Sequence, residues 1–172
     1  MKITRVETIR LDEFSNLLWL RLHTDEGVIG LGESFFGARA IEAYIHETAA
    51  LTLLGRDPLQ IERIHRDLTP YIGFIGTGAE TRGRAAIDLA LWDLWGRVAD
   101  QPVYQLLGGL THDKMRIYNT CAGYRYVRSR PNWSLDDWGT GGEAEGPYED
   151  LEAFLHDAGE LALSLLEQGI TG

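Results

Sequence analysis

The chain is short of cysteine, of positive charge and of long apolar runs. Cys121 is its single cysteine, so no intrachain disulfide and no multi-cysteine zinc site can form; a reducing compartment is the simplest setting. Lys and Arg total 16 against 26 Asp and Glu, a formal charge of −10. Such a surface repels phosphate backbones and anionic lipid, which argues against nucleic-acid and membrane partners. No apolar run approaches the roughly 18–20 residues that span a bilayer, and the opening MKITRVETIR has no apolar signal-peptide core. The expected protein is soluble and cytoplasmic. Its composition, 44% hydrophobic and 24% charged over 172 residues, is that of a globular protein with room for one full domain and roughly forty to sixty residues more.

The first third reads as a three-stranded antiparallel meander. Residues 2–11 are rich in Ile, Val and Thr, with an alternation that slips phase near Val6. Leu18, Leu20 and Leu22 alternate onto one face. Asp25-Glu26-Gly27 makes a turn, and residues 28–33 supply a third strand whose Gly30 and Gly32 leave room on one face for a close neighbour. Helices follow. Residues 38–54 place Ile41, Ile45, Ala49 and Leu53 at four-residue spacing, closed by Gly55. Asp57-Pro58, with Gln60 as a capping box, opens a second helix with the stripe Ile61, Ile64 and Leu68. Thr77-x-x-Glu80 opens a third, roughly 81–99, whose apolar residues lie on nearly all sides, so burial on more than one face is expected before Pro102 ends it.

Beyond Gly108-Gly109 the pattern changes. Residues 115–121 read as a strand, 123–147 as a long polar loop, and 148–168 as an amphipathic helix closed by Gly169. A strand, loop and helix form one β/α unit, which needs a parallel neighbour and a sheet to cover. No earlier segment supplies one, so the chain reads as interrupted.

The segment Ala86-Ile87-Asp88-Leu89-Ala90-Leu91-Trp92-Asp93-Leu94-Trp95-Gly96-Arg97, followed by Gln101-Pro102-Val103-Tyr104-Gln105-Leu106-Leu107-Gly108-Gly109, is similar to the signature of the mandelate racemase and muconate-lactonizing group of the enolase superfamily. Lys2 to Glu7 resembles the family's opening strand, and Thr24 to Glu33 its second hairpin. The resemblance implies an α+β capping domain over 1–110 and, over 111–172, the first β/α unit of a truncated (β/α)8 barrel. It implies Mg2+-assisted abstraction of a proton α to a carboxylate, by an acid-sugar dehydratase or racemase that is a homo-oligomer when complete. The substrate would be a small carboxylate or acid sugar. The family's metal ligands and catalytic acid and base sit at later barrel strands, so no catalytic or metal-binding residue carries over, and this chain alone is expected to be inactive. What carries over is two loops that close the site. The first matches Asp12-Glu13-Phe14-Ser15-Asn16 and the second lies near Ser34-Phe35-Phe36-Gly37. Near the first barrel strand's end, Asn119, Cys121 and Tyr124 are further binding candidates.

Each candidate has a plainer reading beside it. Paired aromatics such as Phe35 and Phe36 more often pack in a core, and Asn119 divides evenly between pocket contact and backbone bonding. Cys121 reads better as a small buried hydrophobe than as a reactive thiol. Glu33 reads as a salt bridge or cap, His46 and His65 as surface residues, and Trp92 and Trp95 as packing between cap and barrel. Gly73-x-x-Gly76-x-Gly78 precedes a helix but lacks the Lys-Ser/Thr ending of a phosphate loop, and a nucleotide-binding domain is set aside. A non-catalytic cap-like interaction module is the competing function.

Overall fold

A computed structural model of the chain describes residues 1–69, 78–118 and 155–171. They belong to two compact units, Met1–Leu110 and Thr111–Gly172.

In the first unit β1 (Ile3–Ile9), β2 (Leu17–Thr24) and β3 (Ile29–Phe35) form an antiparallel sheet in the order β1-β2-β3. Leu18, Leu20 and Leu22 are fully buried on one face of β2. The phase slip in β1 is a register shift between Ile3 and Arg5. One extra residue there turns Val6 onto the face Ile3 occupies, pairing Val6 with Leu22 and Thr8 with Leu20.

The helical layer covers that face. One helical run comprises α1 (Ala38–Tyr44), a π-helical turn (Ile45–Ala49) and α2 (Ala50–Leu53). Ile41, Ile45, Ala49 and Leu53 are all fully buried along it. At 3.6 residues per turn, each four-residue step over-rotates by about 40°, so three steps would carry Leu53 about 120° away from Ile41. The wider π turn takes up that drift and keeps the stripe facing the sheet.

The next helix, α3 (Ile61–Leu68), begins three residues later than the capping pattern predicts. Asp57 Oδ1 accepts the Leu59 N–H at 3.0 Å and Gln60 N–H bonds Asp57 O at 3.2 Å, so Asp57 closes a separate turn. Gln60, at φ −86° and ψ 54°, cannot continue that turn as helix.

Helix α4 (Ala79–Ala99) starts from Gly78, whose φ is +65° and which lacks a side chain, so its N-cap makes no side-chain bond; Thr77 of the expected capping box lies outside the described residues. It lies against β3 so closely that a Cβ on Gly30 or Gly32 would overlap the carbonyl oxygens of Ala90 and Ala86. Its side chains also occupy the exposed edge of β3: Asp93 Oδ2 accepts the Leu31 N–H at 2.8 Å, and Arg82 Nη1 donates to Phe35 O at 2.7 Å. Occupied edge groups cannot template a further strand. Ala86, Ile87, Ala90, Leu91 and Leu94 are buried, whereas Leu89 and Val98 are exposed and Trp92 and Trp95 are half-buried. Burial is thus one-sided within this unit. Asp100, left-handed at φ 51°, closes α4, and Pro102 caps the short α5 (Val103–Leu106).

In the second unit α6 (Ala158–Glu167) ends at Gly169, whose φ is +78°. Leu161 is buried, while Leu155, Leu163 and Leu166 are exposed. Met115–Tyr118, the described part of the expected strand, carry no strand pairing; among the described residues no further strand is present to pair with them. The rest of that strand, the 123–147 loop and the start of the helix lie outside the described residues.

Candidate functional site

The two loops singled out in the sequence meet at one end of the sheet. The β1–β2 connection contains a 3-10 turn, Asp12–Phe14, with Phe14 N–H bonded to Leu11 O at 3.1 Å. Phe14 stands edge-on to Trp19, ring centroids 6.3 Å apart, an arrangement that suits the two ring quadrupoles. Asn16 is buried, and its carbonyl accepts the Phe36 N–H at 3.1 Å. Leu17 pairs with Phe35, so the second loop continues directly from the first.

Phe36 and Gly37 are both left-handed, at φ 65° and 73°. For an aromatic residue that conformation costs about 1 kcal/mol. Among the described residues three contacts hold it. The backbone bond to Asn16 is one; the Phe35 ring, 3.9 Å away centroid to centroid, is another. The Arg82 guanidinium, 5.3 Å from the Phe36 ring centre while bonding Phe35 O, is the third. Strained backbone held by surrounding contacts is concentrated at functional loops. Ser15 Oγ, in the first loop, is buried with no hydrogen-bond partner among the described residues.

Behind the loops stands a polar cluster that no local pattern announces. Glu42 on α1 accepts from Thr8 Oγ1 at 2.9 Å and from Arg10 Nε at 2.7 Å, and His46 Nε2 lies 2.8 Å from Thr8 Oγ1. Burial pushes the Glu42 carboxyl up, but the bonds from Thr8 and Arg10 outweigh it and hold the group below its ordinary value. On the outer sheet face Glu7 bonds His23 Nε2 at 2.8 Å, which lowers its carboxyl as well. That network is solvent-screened, and little stability follows from it. Asp88, on α4 beside His65 and Arg84, is pushed up by burial.

An open groove of about 590 Å³ runs beside the β3 edge, lined by Trp19, Leu31, Leu89, Trp92, Val103 and Leu107 together with Glu33, Asp88 and Asp93. Trp92 and Trp95 stack at 5.1 Å.

The structure therefore brings Phe14, Ser15, Asn16, Phe35 and Phe36 together. Phe35 and Phe36 are half-buried and fall outside the core cluster that the described residues form. Asn119, Cys121 and Tyr124 lie outside the described residues, as does the side chain of Glu13. His65 is exposed, as expected; His46 is exposed but bonded to Thr8. Glu33 lines the groove.

Among the described residues no group of three His, Cys, Asp or Glu side chains could hold a metal ion. The better placed carboxylates are committed elsewhere: Glu42 to Thr8 and Arg10, Asp93 to Arg97 and the β3 edge, Glu7 to His23. These residues do not fit Mg2+. No described helix is long and apolar enough to cross a membrane.

The meander, its helical cover and the loop pair at one end define an α+β domain. The chain belongs to the mandelate racemase / muconate lactonizing enzyme family, whose N-terminal domain matches residues 8–108. It is 42% identical over 127 residues to D-galactonate dehydratase of Ralstonia nicotianae, covering 73% of this chain and 32% of that protein. The D-galactonate dehydratase of Pectobacterium atrosepticum is 40% identical over the same shares. Among solved structures, an enolase of the mandelate racemase subgroup from Agrobacterium tumefaciens is 44% identical, with a TM-score of 0.73 over 99% of this chain and 37% of its own. An enolase from Pantoea ananatis with bound D-gluconate and Mg is 34% identical, with a TM-score of 0.63 over 68% of this chain and 29% of its own. The chain thus spans about a third of the length of its curated relatives.

Proposed function

We propose that this chain is the substrate-covering part of a Mg2+-dependent acid-sugar dehydratase, with an aldonate of the galactonate kind as substrate. The observation that carries this reading is the meeting of the 11–16 and 34–37 loops at one end of the sheet, in a chain 42% identical to D-galactonate dehydratase. A buried hydroxyl with no partner among the described residues, Ser15 Oγ, is suited to a polyhydroxylated ligand. The reaction removes the proton α to the carboxylate and a hydroxyl from the neighbouring carbon, releasing water and leaving a 2-keto-3-deoxy acid. This chain's described residues bind and cover; none of them is assigned to the proton transfer or to the metal. The apolar groove beside β3 supports packing of this unit on a further domain.

The test is a chimera in which residues 1–110 replace the corresponding segment of the Ralstonia nicotianae enzyme. The expected result is turnover of D-galactonate or a close aldonate in the presence of Mg2+, with no turnover by the 172-residue chain alone. A folded chimera inactive on every aldonate tried would overturn the reading. Turnover by the isolated chain would overturn the division of labour.

A further inference from the structure

We infer that the two loops form one moving part, latched through Glu42; this rests on the reading of the loop pair as the substrate cover and adds how it moves. Arg10 is the last residue before the first loop, and Thr8 lies two residues earlier on β1. Both donate to Glu42, one to each carboxylate oxygen. A hydroxyl carries one proton, so with Thr8 donating to Glu42, His46 Nε2–H is the donor in its own bond to Thr8. Glu42 sits on α1, whose first turn is bonded back to Gly37 by the Ile41 N–H at 3.0 Å. The far end of the first loop is tied to Phe36 through the Asn16 carbonyl. Both ends of residues 11–16 are therefore fastened to the single stretch 36–42.

That stretch begins with two consecutive left-handed residues, Phe36 and Gly37, where a small dihedral change re-aims everything that follows. Displacing either loop alone breaks the Arg10–Glu42 bond or the Asn16–Phe36 bond. Displacing both as one piece, with the start of α1 carried along, keeps both bonds and releases the Arg82 contacts to Phe35 and Phe36. The Arg10–Glu42 pair is charge-assisted and its side chains are only 34% and 28% exposed, so it resists solvent better than a free surface pair.

Hydrogen exchange on the 172-residue chain tests this. Glu42→Gln keeps the side-chain shape and removes the charge. The expected result is roughly tenfold faster exchange in residues 11–16 and 35–37 together, with the 24–28 turn at the opposite end of the sheet unchanged. Glu47→Gln, on the exposed side of the π-helical turn, moves neither loop. If Glu42→Gln does not fold, Arg10→Lys, which keeps the charge but loses the Nε donor, is read the same way. A rise in 11–16 alone, no rise, or an even rise across the sheet overturns the latch. Substrate is absent from this measurement, so coupled loops with an unchanged KM in the Ralstonia chimera would refute the substrate role and leave the latch standing.

Discussion

Gly32→Ala is expected to destabilise the first unit by about 3 kcal/mol, a fall of roughly 12–20 °C in Tm for a domain of this size. Two effects oppose each other. Alanine lowers the entropy of the unfolded chain and suits a strand better than glycine, a gain of about 0.5–1 kcal/mol. Against it, the new Cβ would overlap Ala86 O, a backbone atom of α4 that cannot rotate away. Relief requires α4 to retreat from β3, which disturbs the Asp93–Leu31 and Arg82–Phe35 bonds at the strand edge. The overlap therefore wins. Gly27→Ala supplies the contrast, since a Cβ there meets nothing within 4 Å and the cost is only that of holding φ at +79°, about 1 kcal/mol. Thermal unfolding followed by circular dichroism separates the two.

Leu20→Ala is expected to cost about 3–4 kcal/mol. Leu20 is fully buried at the centre of β2, paired with Thr8 on one side and Gly32 on the other. On the Gly32 side no side chain can move into the vacated space, and Leu18 and Leu22 are already packed in the core, so the cavity stays largely open and the upper part of the usual range applies. Leu51→Ala, at a leucine 79% exposed, should change stability by less than about 0.5 kcal/mol. Urea midpoints at unchanged m-value test the pair.

The same residues show what the sequence made legible. Alternation around Leu18, Leu20 and Leu22 is a two-residue signal set by burial of one sheet face, and it reads directly. Gly30 and Gly32 announced a close neighbour because only missing side chains admit a helix backbone at that distance. The slip near Val6 announced the register shift. Strict four-residue spacing over Ile41 to Leu53 also encodes the π turn, although an ordinary helical reading passes over it. The Asp57 turn was misread because the same Asp-Pro pattern serves a free turn and a helix start.

The candidate site was half legible. The two loops could be named from the resemblance, but their junction depends on Asn16 and Phe36, 20 positions apart. Glu42, Arg10 and Arg82 carry no local signature at all. Their partners lie 32 to 47 residues away, and only the folded sheet brings them together.

The most direct measurement of the central claim combines function and stability at Ser15. If the loop pair covers an aldonate, Ser15→Ala in the chimera raises KM for D-galactonate about tenfold, the loss of one hydrogen bond of about 1.4 kcal/mol. In the isolated chain the same substitution removes a buried hydroxyl that has no partner among the described residues, so stability stays level or rises by up to about 1 kcal/mol. A raised KM with undiminished stability is the predicted result; an unchanged KM in a folded, active chimera contradicts it.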